Sequence, residues 1–243
     1  KVAILGSSPS SIGLAPLNDP AWQVWGCSPG VFYQCGSPTG WFELHRWEPP
    51  VIGRPESQRS WFSPEYVQWM AMRKPDTCPV WMYEPVPEIP ASRALPIDDL
   101  IHDFGNYFFT SSISIMIAMA IRAIQDDREG KRIAAAAMAL AGLVEPTDQK
   151  PEPDTIALFG VDMTATEEYG YQRAGCQHFL LLAADLGIRI VVPPESDLLR
   201  PMPIYGICEH THWHIKNLAR KNELLQRKAV AEAQAKECAD MAQ

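Results

Sequence analysis

The sequence predicts an α/β fold, a three-layer sandwich on a mainly parallel sheet with a protruding C-terminal helix. Three observations carry that expectation. Lys1-Val2-Ala3-Ile4-Leu5 runs into Gly6-Ser7-Ser8-Pro9-Ser10, and Thr155-Ile156-Ala157-Leu158-Phe159 runs into Gly160-Val161-Asp162-Met163. Each is a short apolar run that stops at a glycine and turns small and polar, as a buried parallel strand does where it leaves a sheet. Between and after them, strand-like runs alternate with helical ones, which implies βαβ units. Ligands of open α/β sheets bind outside the strand ends. The two glycine turns are therefore expected to form two walls of one site, the first suited to phosphate.

The elements follow in order. Residues 2–5 read as the first strand, Ala21–Trp25 as the second, ending at Gly26-Cys27-Ser28, and Trp41–His45 as the third, with His45 at its exit. Pro64–Arg73 reads as a helix, because Ser63 can cap it and Pro64 suits its first turn. Pro79–Tyr83 reads as a short strand and Asp98–Phe104 as a short helix. Thr110 or Ser111 can cap a longer helix through about Gln125, in which Ile113, Ile117, Ala120, Ile121 and Ile124 keep helical spacing. A separate alanine-rich helix is expected over Gly130–Val144, followed by an acidic, proline-rich loop to Asp154. Residues 129–154 read as an insertion within a domain spanning 1–209. After the strand Thr155–Phe159 come a helix, Gln172–Leu186, ended by Gly187, and a strand, Ile188–Val192, stopped by Pro193-Pro194. The tail 210–243 reads as a separate helix with a thin stripe of Ile215, Leu218, Leu225 and Ala229. It is either a solvated helix or a contact for a second copy or a protein partner.

Composition bounds the function. A hydrophobic share of 47% with 21% charged residues is that of an ordinary globular protein able to bury a core. A net charge of −8 argues against a broad surface for nucleic acid or anionic lipid. The longest apolar run, Ile113–Ile124, is too short to span a membrane and carries Arg122. The first residues read as a strand rather than a secretion signal, which points to the cytoplasm. Cys27, Cys35, Cys78, Cys176, Cys208 and Cys238 form no CxxC pair. Reduced, buried thiols are expected rather than a zinc site or a disulfide framework.

Several side chains are candidates for chemistry. In Gly6-Ser7-Ser8-Pro9-Ser10-Ser11 the glycine permits close backbone approach, and successive N–H groups and hydroxyls can cradle phosphate oxygens. The segment lacks the lysine and later glycines of the common nucleotide loops, so an ordinary turn is the competing reading. Ser28 is placed to meet a ribose or base edge, or is a polar turn residue. Thr110, Ser111 and Ser112 either cap a helix or use its free N–H groups on an anion. Asp162 is placed to accept from a ribose hydroxyl, to act as a base, to hold a metal, or to cap a turn. Glu167–Arg173 reads as a loop, either a substrate wall, with Tyr169 and Tyr171 able to stack on a base or sugar and Arg173 able to pair with phosphate or carboxylate, or a surface loop anchored by its tyrosines. His45 and His178 are the candidate general bases, with His178 also readable as a packed helix residue. His210, His212 and His214 have alternate spacing, which separates ligands on a helix, so no metal site is expected there.

Taken in order, Gly-Ser-Ser-Pro-Ser, Trp25-Gly26-Cys27-Ser28, Thr110-Ser111-Ser112, Leu158-Phe159-Gly160-Val161-Asp162 and Pro193-Pro194-Glu195-Ser196-Asp197-Leu198 resemble a Rossmann-like family. That family contains bacterial family-42 sialyltransferases, archaeal-type hydroxymethylpterin pyrophosphokinases and many phage-encoded proteins. The resemblance touches most of residues 1–200 through short motifs. It implies that Ser8, Pro9 and Ser10 line the phosphate or cytidine side of a nucleotide and that Ser28 contacts it. It further implies that Thr110–Ser112 approach the nucleotide, and that Asp162 with Tyr169 or Tyr171 borders the donor. Ser7, Ser8 and Ser112 depart from the family's asparagine and glycines, and His178 lies within the helix that the family's histidine precedes. Sialyl transfer itself is therefore not expected.

The resulting expectation is a nucleotide- or nucleotide-sugar-binding protein that works as a glycosyl- or phosphoryl-transferase, with His45 or His178 as base; the sequence names no cofactor, and magnesium is the candidate a nucleotide donor would bring. The alternative is an inactive binding or assembly protein, a virion component if the chain is phage-encoded.

Overall fold

Four of the central strands put their apolar residues on both faces, and this decides the layering. In the strand Val2–Leu5 (β1), Val2 and Ile4 enter one core while Ala3 and Leu5 enter another. The strand Thr155–Phe159 (β6) divides its residues likewise, Ile156 and Leu158 against Ala157 and Phe159. Burial of each large apolar side chain contributes about 1.5–3 kcal/mol, so a strand apolar on both faces is stable only between two layers.

The computed structural model describes residues 1–49, 61–141, 152–163, 167–199 and 212–241. After β1, a single 3-10 turn, Ile12–Leu14, leads to Gln23–Cys27 (β2) and Gly40–Phe42 (β3). Pro64–Ala71 (α1) precedes Val80–Met82 (β4) and Ser92–Ala94 (β5). Ile97–Phe104 (α2) and Ser112–Leu140 (α3) return the chain to β6, then Glu167–Asp185 (α4) leads to Arg189–Val191 (β7). All pairings are parallel, in the order β5-β4-β3-β2-β1-β6-β7. The chain is α/β with a Rossmann-like arrangement. α2, α3 and α4 cover the face of Val2 and Ile4, and α1 with the 3-10 turn covers the face of Ala3 and Leu5.

Four sequence expectations are corrected. α3 is one helix of 29 residues, not two. Gly130 in its interior costs about 1 kcal/mol, and ion pairs flank it at Lys131–Asp127 and Arg132–Glu129. Glu167–Arg173 is not a loop but the first turns of α4, which runs through Gly170. β5 was not anticipated, because Ser92-Arg93-Ala94 on the sheet edge shows no apolar pattern. β3 ends at Phe42, so His45 lies three residues beyond the strand rather than in it.

The chain divides into two compact units, Lys1–Leu198 and Leu199–Gln243. In the second, His212–Met241 (α5) is a helix of 30 residues. Leu218, Leu224, Leu225 and Val230 are exposed on it, and Arg220 and Arg227 pair with Glu223. His210 lies outside the described residues, as do the side chains of His212 and His214. Among the described residues no helix is long and apolar enough to cross a membrane.

Candidate functional site

β1 pairs with β2 on one side and with β6 on the other, so the chain reverses its direction of travel across the sheet between β1 and β6. The loops leaving these two strands flank the topological switch point, where doubly wound sheets open a crevice. Here the loops touch. Gly6 N–H donates to the Phe159 carbonyl (2.8 Å), Ser8 N–H to the Gly160 carbonyl (2.7 Å), and Gly160 N–H to Ser11 Oγ (2.9 Å). A Cβ on Gly6 would lie 2.5 Å from the Gly160 carbonyl oxygen, and one on Gly160 would lie 2.5 Å from that of Gly6. Gly160 also has φ of +68°, so glycine is required there by both space and conformation.

That contact brings the serines to the aspartate. Ser8 Oγ donates to Asp162 Oδ2 (2.6 Å) and Ser10 Oγ to Asp162 Oδ1 (2.8 Å), with the two hydroxyl oxygens 3.2 Å apart. Hydrogen bonds to a carboxylate are stronger than neutral ones, and here they set the orientation of a half-buried carboxylate. Ser7 and Pro9 are exposed beside them. Ser28, half-buried at the exit of β2, has φ of +58°, and its N–H donates to the Phe42 carbonyl (3.3 Å). It is a turn residue that stands between the β1 and β3 exits.

The α3 start is reached through packing. Ser111 is the N-cap, its Oγ accepting from Ser114 N–H (3.0 Å), and Ser112 opens the helix. Ser111 Oγ lies 3.5 Å from Cys176 Sγ, which in turn lies 3.6 Å from Met163 Sδ, the residue after Asp162. Thr110 Oγ1 donates to the Gln172 carbonyl (3.3 Å). The capping reading of Thr110–Ser112 thus holds at Ser111, and these residues tie α3 to α4.

The remaining candidates are placed elsewhere. Arg173 donates to the Asp197 carbonyl (2.7 Å) and fastens the segment after β7, whose Ser196 donates to the Val161 carbonyl (2.5 Å). Tyr171 is 77% exposed on α4, and the Tyr169 side chain lies outside the described residues. His178 stacks on Phe108, with ring centroids 4.1 Å apart, and meets Phe179 edge-on. It is a packed helix histidine and does not join the Ser8–Ser10–Asp162 cluster.

His45 belongs to a second cluster on the same edge. Glu43, immediately after β3, is fully buried. Its Oε2 accepts from the Tyr66 hydroxyl (2.6 Å), which accepts from Trp41 Nε1 (2.7 Å). Its Oε1 accepts from His45 N–H (3.0 Å) and from His45 Nδ1 (2.5 Å). The imidazole stacks on Trp61, centroids 4.5 Å apart. The Glu43 hydrogen bond raises the His45 pKa, against a smaller lowering by burial. Burial, followed by the charge of Glu43, pushes the Tyr66 phenol well up. Beside His45 is a cavity of about 520 Å³ lined by residues 45–47 and 82–88, from the exits of β3 and β4. Sequence reading found His45 but missed Glu43. A glutamate two residues before a histidine at a strand exit is the signal that was present.

Among the described residues no group of three or more His, Cys, Asp or Glu side chains is placed to hold a metal. Cys27 and Cys176 are pushed up by burial to about 12, and Cys35 and Cys78 to about 11, so these thiols stay protonated and inert at neutral pH. Compared with protein-family models, with curated proteins and with solved structures, the chain matches none.

Proposed function

We propose that this chain binds a nucleotide or nucleotide sugar at the exits of β1 and β6 and transfers a glycosyl or phosphoryl group from it. The observation that carries the reading is the Asp162 carboxylate held by Ser8 and Ser10 at the switch point. A carboxylate so fixed accepts from ribose hydroxyls, and the serine hydroxyls can turn from it to phosphate oxygens. A phosphate beside Asp162 also suits magnesium, which is commonly held by one or two carboxylates together with the ligand's own phosphates and water. The donor set fits that ion, with Asp162 as its protein ligand. Magnesium would supply charge neutralisation at the phosphates. The chain's own residues supply orientation at Asp162 and, at His45, a group able to take a proton. Transfers of this kind are driven chiefly by positioning and fixed charges.

Calorimetry tests the reading. Nucleoside mono- and diphosphates and nucleotide sugars, titrated with and without magnesium, should show binding by at least one of them. Asp162→Ala should weaken it at least tenfold. No binding by any of them would end the nucleotide reading.

One observation favours a second reading, retention of a ligand without turnover. Neither Gly6–Ser11 nor Gly160–Met163 contains Lys or Arg, and Arg173 is committed to the Asp197 carbonyl. Binding without hydrolysis or transfer over long incubation would select it. The C-terminal helix is proposed as a contact for a second copy or a partner. Light scattering before and after truncation at His210 tests this, and an unchanged oligomeric state would remove the second copy.

A further inference from the structure

The cavity beside His45 is not the switch-point crevice. Strands stand about 4.8 Å apart, so the exits of β1 and β3 are separated by about 10 Å and those of β6 and β3 by about 14 Å. A nucleotide held at Ser8, Ser10 and Asp162 would leave this cavity open to a second reactant. Its walls have a definite chemistry. Glu84 and Glu88 offer carboxylates, Tyr83 and Trp47 offer aromatic rings, and Arg46 and His45 offer donors. Carboxylates that accept from several hydroxyls, beside rings that cover an apolar C–H face, suit a sugar.

Glu43 explains why His45 is fit to serve there. A carboxylate with no exposure is costly to bury unless its oxygens are satisfied, and here they accept from Tyr66, from the His45 N–H and from His45 Nδ1. With Nδ1 committed, the neutral imidazole carries its lone pair on Nε2. The side chain of His45 is 34% exposed while that of Glu43 is 0% exposed. The carboxylate is sealed, and the imidazole it orients reaches the cavity.

We propose that the cavity at the exits of β3 and β4 holds the acceptor of the transfer, a carbohydrate, and that His45, positioned by Glu43, is the base that deprotonates its attacking hydroxyl. This rests on the nucleotide-donor reading above. As the acceptor oxygen bonds to the electrophilic carbon or phosphorus of the donor, its proton passes to His45 Nε2. The bond from that centre to the leaving phosphate oxygen breaks, and its electron pair departs with the nucleotide. Glu43 balances the imidazolium, which returns its proton to water. Glu43 is a positioning residue and His45 the catalytic one. Among the described residues, the charged and titratable groups around this imidazole are Glu43, Tyr66, Arg46, Tyr83, Glu84 and Glu88.

The test uses the full chain and nuclear magnetic resonance. The His45 ring is assigned by loss of its signals in His45→Gln. In the wild-type protein it should show the tautomer with the proton on Nδ1 and titrate above about 6.5, the ordinary histidine value. In Glu43→Gln its midpoint should fall. The wild-type measurement stands on its own if that variant does not fold. Glucose, galactose, N-acetylglucosamine and lactose are then added as probes, with choline and spermidine as cationic controls. A sugar should shift amide signals of residues 45–47 and 82–88, with or without nucleotide. The opposite tautomer, an unchanged midpoint in folded Glu43→Gln, no response to any sugar, or a response to the cations alone would each overturn the proposal. The nucleotide reading fails by a different measurement, calorimetry at Asp162, so the two failures are distinguishable.

Discussion

Asp162 and Glu43 are two carboxylates on one sheet edge in opposite situations. Asp162 is half-buried and held by two serine hydroxyls from the neighbouring loop. Glu43 is fully buried and held by Tyr66 from α1 and by His45 from its own turn. Water can replace the partners of the first but not those of the second. A buried polar group left unsatisfied carries the whole cost of its desolvation. The contrast is one of environment, with Asp162 half-buried at the switch point and Glu43 committed to the fold and to one imidazole.

The largest expected effect breaks the buried side. Glu43→Ala leaves the Tyr66 hydroxyl and His45 Nδ1 without their acceptor and should lower stability by about 4 kcal/mol, read from urea denaturation. Gly160→Ala attacks the frame of the other side. A methyl group 2.5 Å from the Gly6 carbonyl oxygen, at φ of +68°, should cost about 3 kcal/mol. Gly13→Ala is its control, because nothing lies within 4 Å of that Cβ, and it should stay within about 0.5 kcal/mol of wild type. Asp162→Ala should cost no more than about 1 kcal/mol, since both serines can turn to water. Equal losses at positions 43 and 162 would show that burial does not separate the two carboxylates.

The smallest effect is a pH dependence confined to the Glu43 side. The His45 pKa is raised in the folded protein by its Glu43 hydrogen bond. Protonated His45 therefore stabilises the fold fully below its unfolded value of about 6.5, and that stabilisation is lost as pH rises through the raised folded value. The stability gap between wild type and Glu43→Ala should shrink over that window, whereas the gap for Asp162→Ala should not follow it. Denaturation midpoints measured across neutral pH check this.

Much of the frame was legible in the chain. The glycine ends of β1 and β6 announced two buried strands, because an apolar run must stop where backbone leaves the core. Ser63 and Ser111 marked helix starts, since each side chain meets an otherwise unpaired N–H. Less legible were features without local pattern. The stretch from Gln125 to Gly130 suggested a break between two helices, yet flanking ion pairs and continuous backbone carry α3 across it. Gly170 and the charged Glu167–Arg173 suggested a loop, yet they open α4. His178 looked like a possible base until Phe108, 70 residues earlier, was found against its ring.

By itself the sequence determined the fold class and most of the strands, because hydrophobic period and turn chemistry are local. Only the tertiary structure decided which groups meet. Asp162 receives hydroxyls from residues 154 and 152 positions away, and Glu43 became a partner of His45 once Tyr66 and Trp41 sealed it. Sequence spacing offers Glu43 as a neighbour of His45 but shows neither its sealing nor the reach of Ser8 and Ser10 to Asp162. The energetic worth of a carboxylate depends on how much water the rest of the fold leaves around it.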